Sequence, residues 1–302
     1  DHRDLHSFPT RRSSDLYIQP AAGDAGGALG AALAAWHIHL GREKAASPDG
    51  RDIMFGSYLG PEFPERDIRR CARRFSAPFT HFDDFGDLCA MVAGLLDEGK
   101  AVGWFQGRME WGPRALGNRS ILGDPRRPDM QKKLNLKIKY REGFRPFAPS
   151  VLAEDADRYF GLDGAASPYM LLVAPVREER RLPLPEGYHQ LPLYERLYVL
   201  RSDIPAVTHV DYSARIQTVH RETNPRYHRL ISAFKERTGC GVVVNTSFNV
   251  RGEPIVCTPE DAYRCFMRTE MDHLVLGDFL FDKEAQPPLE EEGDWRTEYE
   301  LD

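Results

Sequence analysis

Arg114, Arg119, Arg141 and Arg145 each lie within two residues of glycine, proline or an aromatic side chain, in a stretch that reads GRMEWGPRALGNRSILGDPRRPDMQKKLNLKIKYREGFR from Gly107 to Arg145. Arg108 to Arg145 carries eleven Lys and Arg against four acids, inside a chain whose net charge is −6. A planar guanidinium on stiff backbone suits a two-pronged grip on phosphate or carboxylate. A solvated basic face with acid partners elsewhere in the chain would account for the charge alone. Gly-Pro-Arg-Ala-Leu-Gly and Phe-Arg-Pro-Phe-Ala-Pro, however, are not the composition of a solvated helix face.

Four segments distant in sequence combine glycines or small polar residues with cations: Gly112–Arg119, Lys139–Arg145, Asp211–Gln217 and Asn245–Gly252. Each adjoins a predicted strand, so each can be aimed from a sheet end. In the last, Asn245, Thr246 and Ser247 follow an apolar strand, where hydroxyls and backbone N–H groups can meet an anion; a plain Asx or ST turn is the competing reading. Gly23-Asp24-Ala25-Gly26-Gly27 is open in the same way. The glycines could admit a phosphate while Asp24 reaches a metal ion, or the turn simply starts a helix capped by Asp24. His37 and His39, two apart on a helix, point in different directions and make poor joint ligands. Trp104 and Trp111 could stack on a base, although a core aromatic is the commoner fate.

The elements that must position these residues follow from pattern. The entry piece from Tyr17 leads through the glycine turn into an Ala-rich helix, Ala28 to about His39, so poor in large apolar residues that it must pack closely on something. Residues 42–80, charged and broken by Ser-Pro-Asp-Gly and Gly-Pro-Glu-Phe-Pro, read as a connector with a domain boundary. From residue 80 strands and helices alternate. Leu88, Met91, Val92, Leu95 and Leu96 recur at helical spacing before Gly99 and the strand Ala101 to Phe105. Asn224 and Pro225 open a helix with Tyr227, Leu230, Ile231 and Phe234 on one stripe, ended by Gly239 and followed by the strand Gly241 to Asn245. Thr258-Pro259-Glu260-Asp261 is an N-cap with Pro at the first position, and a final strand is expected over His273 to Phe281. Such alternation predicts an α/β fold with a mixed twisted sheet flanked by helices.

The whole composition bounds the function classes. At 302 residues the chain is expected to hold one to three domains. Its acidic balance argues against wholesale coating of a nucleic acid, and no apolar run approaches the roughly 20 residues that span a bilayer. Cys71, Cys89, Cys240, Cys257 and Cys265 show no Cys-x-x-Cys spacing, so reduced thiols and a cytoplasmic location are expected. Residues 1–16 have neither helical nor strand period and resemble translated sequencing-adapter read-through, with a disordered basic arm as the alternative. Residues 284–302 read as an acidic tail.

Taken together, Glu110-Trp111-Gly112-Pro113-Arg114-Ala115-Leu116-Gly117-Asn118-Arg119-Ser120, the Lys139-x-Arg141-Glu142-x-Phe144-Arg145-Pro146-Phe147-Ala148-Pro149 run, His209-Val210-Asp211-x-x-Ala214-Arg215-x-Gln217-Thr218-Val219 and Asn245-Thr246-Ser247-Phe248-Asn249-x-Arg251-Gly252-Glu253-Pro254 resemble, in order, the O-carbamoyltransferases of nodulation-factor and antibiotic biosynthesis. The resemblance covers roughly residues 17–283. It implies a YrdC-like domain over 80–283, preceded by a connector over 46–79 and, over 17–45, a remnant of a sugar-kinase or actin-like ATPase-type metal-binding transferase domain. It also implies carbamoyl phosphate and ATP as co-substrates, a carbamoyl adenylate, and transfer of the carbamoyl group to a hydroxyl of a small-molecule or oligosaccharide acceptor. By that resemblance Arg114, Lys139, Arg145, Arg215 and Ser247 are carbamoyl phosphate and nucleotide positions, with Lys139 and Arg215 catalytic. Arg119, Arg141, Asn245 and Asn249 are further candidate phosphate contacts, and Asp24 matches a ligand of a divalent metal, iron or magnesium. The family's metal-binding histidines have no match here. The rivals are an RNA- or nucleotide-binding module without transferase activity and an inactive fragment lacking the transfer domain.

Overall fold

The computed structural model describes residues 19–44, 54–290, 294 and 295; the leader read over 1–16 lies outside them. The helices are α1 (Asp24–Ala34), α2 (Glu65–Arg74), α3 (Phe85–Asp97), α4 (Met130–Lys137), α5 (Ala156–Tyr159), α6 (Leu193–Leu197), α7 (Pro225–Thr238) and α8 (Pro259–Arg268). The strands are β1 (Thr80–His81), β2 (Val102–Phe105), β3 (Arg119–Gly123), β4 (Ala148–Leu152), β5 (Leu172–Pro175), β6 (Ser213–Val219), β7 (Val242–Ser247), β8 (His273–Leu276) and β9 (Phe279–Asp282). They form one sheet in the order β1-β9-β8-β2-β3-β7-β4-β6-β5. Only β2 with β8 and β4 with β6 run parallel; the other neighbours are antiparallel. The mixed α/β sheet expected from alternation is what the chain builds.

Its centre is covered on both faces. Every residue of β2, β3 and β4 is buried, as strands covered on both faces are, and Arg119, Ser120 and Ser150 are the polar exceptions among them. Local sequence starts and stops the covering helices. Asp84 accepts the N–H groups of Gly86 and Asp87 to open α3. Asn224 accepts from Tyr227 to open α7, with Pro225 at its first position, and Gly239 ends it at φ 76°. Thr258 and Asp261 form a reciprocal capping box on α8. Helices α3 and α7 pack on each other, and their Leu88, Val92, Leu96, Leu230 and Phe234 are fully buried, each such side chain contributing roughly 1.5–3 kcal/mol by leaving water.

Three sequence expectations change. The strand expected over His273 to Phe281 is a hairpin, β8 and β9, turning at Gly277 (φ 58°) and Asp278; a glycine followed by Asp between apolar runs is the local chemistry of a two-residue turn. The connector stretch holds α2, whose Ile68, Cys71 and Ala72 are buried against α8, with Phe75 stacked on Tyr263 at 4.6 Å. The Ala-rich helix begins at Asp24 rather than Ala28, its N-cap is Gly23 without a side-chain cap, and it buries none of its own residues. Alanine and glycine offer too little apolar surface to draw it into the core. Its ties are a hydrogen bond from Trp111 Nε1 to the Ala25 carbonyl and the buried Ala21 before it.

Candidate functional site

Strand direction brings the four cationic segments together. Ser120 of β3 pairs with Ser247 of β7, Ala148 of β4 with Asn245 of β7, and Ser150 of β4 with Gln217 of β6. The starts of β3, β4 and β6 and the end of β7 therefore lie at one end of the sheet. Three entering loops and one leaving loop meet there, although more than 130 residues separate the first from the last.

They enclose a cleft of about 180 Å³ walled by Arg114, Arg141, Arg215 and the run Asn245, Thr246, Ser247, with Pro146, Phe147 and Met170 completing it. No Asp or Glu among the described residues lines it. Arg114 and Arg215 each keep a buried Nε without a hydrogen-bond partner, and the nearest polarisable neighbour of Arg215 is the Met170 sulfur at 3.9 Å. Burial, and then the charge of Arg114, push the Arg215 pKa down. Burial, and then Arg145, push Arg141 down to about 10 against the opposing pull of Glu142. Cations held close together with unused donors store repulsion that an anion between them would relieve.

A polar network fixes this wall from behind. Asn245 Nδ2 donates to the Ala115 carbonyl, Ser150 Oγ and Gln217 Oε1 at 2.9–3.0 Å. Ser150 donates to Gln217 at 2.6 Å, and Gln217 Nε2 donates to the Leu116 carbonyl at 2.7 Å. Tyr58 adds a second donor to that same carbonyl at 2.8 Å. Gly117 sits at φ 106°, where a Cβ would meet the Tyr227 ring at 2.1 Å, so the loop carrying Arg114 can pass only as glycine there. Met170 holds a left-handed φ of 56°, kept in place because Ser167 is bonded into β6 through Ile216 and Thr218.

The carbamoyltransferase C-terminus family model matches residues 93–283, the span from α3 to β9 that builds this cleft. The chain belongs to that family. It is 60% identical to an uncharacterised protein of Synechocystis over 95% of this chain and 46% of the relative. It is 41% identical to nodulation protein NolO of Bradyrhizobium diazoefficiens over 89% and 45%, and 35% identical to the 3'-hydroxymethylcephem-O-carbamoyltransferase of Streptomyces clavuligerus over 88% and 43%. The chain thus spans less than half the length of these relatives. Full-length HypF, solved in a phosphate- and nucleotide-bound form, aligns with a TM-score of 0.38 at 17% identity, over 76% of this chain and 27% of that one.

Against the residues expected from resemblance to the carbamoyltransferases, the structure divides them. Arg114, Arg141, Arg215, Asn245 and Ser247 line one cleft. Lys139 lies behind it, 3% exposed, its ammonium donating to the carbonyls and side-chain oxygens of Ser247 and Asn249. Burial pushes Lys139 down to about 7, with Arg141 acting the same way and Cys265 and Glu253 opposing. Arg145 is half-exposed and paired with Glu142 at 3.0 Å, outside the wall. Asn249 serves Lys139 and Ser247 rather than the open cleft.

Arg119 is a correction. It is fully buried, donates to the carbonyls of Gln106, Gly107, Asn118 and Pro61, and lies 3.5 Å over the Phe105 ring. It is the first residue of β3, opposite Phe105, and its side chain turns onto the backbone that follows β2 and braces it, so it is no phosphate contact. Asp24 is exposed on α1, and among the described residues no group of three His, Cys, Asp or Glu could hold a metal ion. A lone exposed carboxylate is too few donors for a divalent cation; the donor set expected around Asp24 is not formed by these residues. Trp104 is core and Trp111 is not. Thr246, read from sequence in the Asn245–Ser247 run, lines the cleft as well; Met170, in a loop without a motif, was not singled out from sequence.

Proposed function

We propose that the Arg114–Arg141–Arg215 cleft binds the phosphate groups of carbamoyl phosphate and ATP and serves carbamoyl adenylate formation, the carbamoyl group then passing to a hydroxyl of a small-molecule or oligosaccharide acceptor. The observation that carries this reading is the convergence of three arginines from three loops on one cleft without a lining carboxylate, two of them with buried N–H groups left unused. Part-buried guanidinium groups without an acid partner are what a bound anion can complete.

In the proposed sequence, water cleaves carbamoyl phosphate to carbamate and inorganic phosphate. A carbamate oxygen then attacks the α-phosphorus of ATP, pyrophosphate leaves, and the acceptor hydroxyl later displaces AMP from the carbamoyl carbon. Several negative charges must share one cavity during the second step, and charge stabilisation and positioning, rather than a general base, carry most of such a transfer. Arg114 and Arg141 would clamp phosphate oxygens. Arg215 would meet the charge that builds on the α-phosphoryl oxygens, Ser247 would donate a hydrogen bond, and Lys139 would supply a charge from behind. Arg145 joins them only by leaving Glu142. The relatives named for nodulation and for a cephem carbamoyltransferase support a hydroxyl acceptor; a divalent metal would need donors besides Asp24.

Pyrophosphate release from ATP by the purified chain, with and without carbamoyl phosphate, tests the reading. Release that depends on carbamoyl phosphate and falls at least about a hundredfold in Arg215→Ala, the scale of losing one charge-stabilising donor, is expected. Release that ignores carbamoyl phosphate, or survives in the variant, would sink it.

A further inference from the structure

Glu110 does not line the cleft, yet the loop that carries Arg114 is folded around it. A single carboxylate oxygen, Oε1, accepts the N–H groups of Leu116 at 2.6 Å, Asn118 at 2.8 Å and Arg119 at 3.2 Å. The residue is 6% exposed, and its second oxygen is buried without a partner. Chain leaves Glu110 through Trp111 and returns to it five residues after leaving, so one side chain closes the loop in the way a ligand would. Three donors on one oxygen is a demand that an anion meets better than a neutral acceptor.

Most of the remaining ties of the loop fall on its return arm. Gln217 and Tyr58 grip the Leu116 carbonyl and Asn245 grips that of Ala115. On the outgoing arm, the Trp111 N–H reaches the Ser57 carbonyl. Arg114 lies between the arms, its Nε buried and unpartnered, so its aim is set by where the return arm is anchored. We propose that Glu110 is a positioning residue, which holds Arg114 at the range and angle the cleft anion requires. The proposal rests on the anion-binding reading of the cleft and extends it to a residue outside the cleft lining.

A double-mutant cycle read by titration calorimetry with carbamoyl phosphate on the full 302-residue chain tests it. Arg114→Ala should weaken binding about tenfold, the loss of one charge-assisted contact, and Glu110→Ala should weaken it by a similar factor. The double variant should bind no more weakly than Arg114→Ala alone, because Glu110 acts only through Arg114. Glu110→Gln keeps an acceptor without the charge and should recover most of the affinity. It also serves should Glu110→Ala fail to fold, since its loss, about threefold, should vanish in the Arg114→Ala background. A carboxylate with a purely structural role would lower the unfolding midpoint and leave affinity unchanged, or give losses that add; either overturns the proposal. No binding by the unaltered chain, or an Arg114→Ala variant that binds normally, overturns the anion reading and the positioning role with it.

Discussion

Arg114 and Arg119 lie five residues apart in one loop, and the structure gives them opposite fates. Arg119 is fully buried with four backbone carbonyls around its guanidinium and an aromatic ring beneath it. Arg114 reaches a cleft, has a buried Nε with no partner, and faces a second arginine rather than an acid. Both are arginines near glycine in a basic run. What separates them is whether the protein engages the terminal nitrogens: an Nε is buried without a partner in both, but the Nη atoms of Arg119 donate to four carbonyls, whereas Arg114 forms no hydrogen bond among the described residues. A buried cation whose terminal nitrogens are held by backbone carbonyls is a strut; one whose terminal nitrogens are not held is a place for something else.

The largest effect that would break this comparison is on stability. Arg119→Ala strips the side-chain donor from the carbonyls of Gln106 and Gly107, leaves those of Asn118 and Pro61 with only their backbone donors, and opens a void against Phe105, so a loss of roughly 3 kcal/mol is expected. A urea titration measures it. Arg114→Ala in the same titration should stay within about 0.5 kcal/mol of the parent, since the removed group has no partner to strand. Equal losses at the two positions would erase the distinction.

Lys139 lies between these extremes, and pH exposes it. Its four oxygen acceptors make it look like Arg119, yet burial holds its pKa down to about 7. Between that value and the ordinary lysine range the unfolded chain binds the proton and the folded chain does not. Stability from this residue therefore rises with pH across that window and is flat below it, at a slope of about 1.4 kcal/mol per pH unit for one proton. Anion affinity runs the opposite way, because the ammonium behind Ser247 is charged only below about 7. Sulfate, whose own charge does not change from pH 8 to pH 6, should bind a few-fold more tightly at the lower pH, and Lys139→Met should flatten that dependence. A dependence retained in Lys139→Met would assign it to another group, with His209 the nearest alternative beside Arg215.

How much of this was readable without coordinates also follows from which donors are completed. The caps at Asn224 and Thr258, the glycine stop at Gly239 and the four cationic segments at strand ends are local signals, and the fold uses them as read. The hairpin at Gly277 and helix α2 also have local signals: Gly277 and Asp278 stand between two apolar runs, and Ile68, Cys71 and Ala72 are spaced for a helix face. The fate of Arg119, the grip of Glu110 on three N–H groups and the sulfur of Met170 beside Arg215 are different in kind. Each depends on which carbonyl or side chain arrives from another part of the sheet, and no spacing within the motif distinguishes Arg119 from Arg114.

The smallest effect sharpens the comparison most, because Arg145 is a cation whose partner is a neighbour three residues away. Its pairing with Glu142 at 3.0 Å is half-exposed, and Glu142 also lies 3.9 Å from Arg251. Half-exposed pairs of this kind hold their partners weakly, so Arg145 can be drawn from Glu142 toward an anion in the neighbouring cleft at little cost. On that argument Glu142→Gln frees Arg145 and should tighten carbamoyl phosphate binding by no more than a few-fold, while Arg145→Ala weakens it and leaves the urea midpoint unchanged. If Glu142→Gln instead weakens binding, the carboxylate is holding the loop in its binding shape. Arg145 would then belong with Arg119 among cations that the protein itself holds in place.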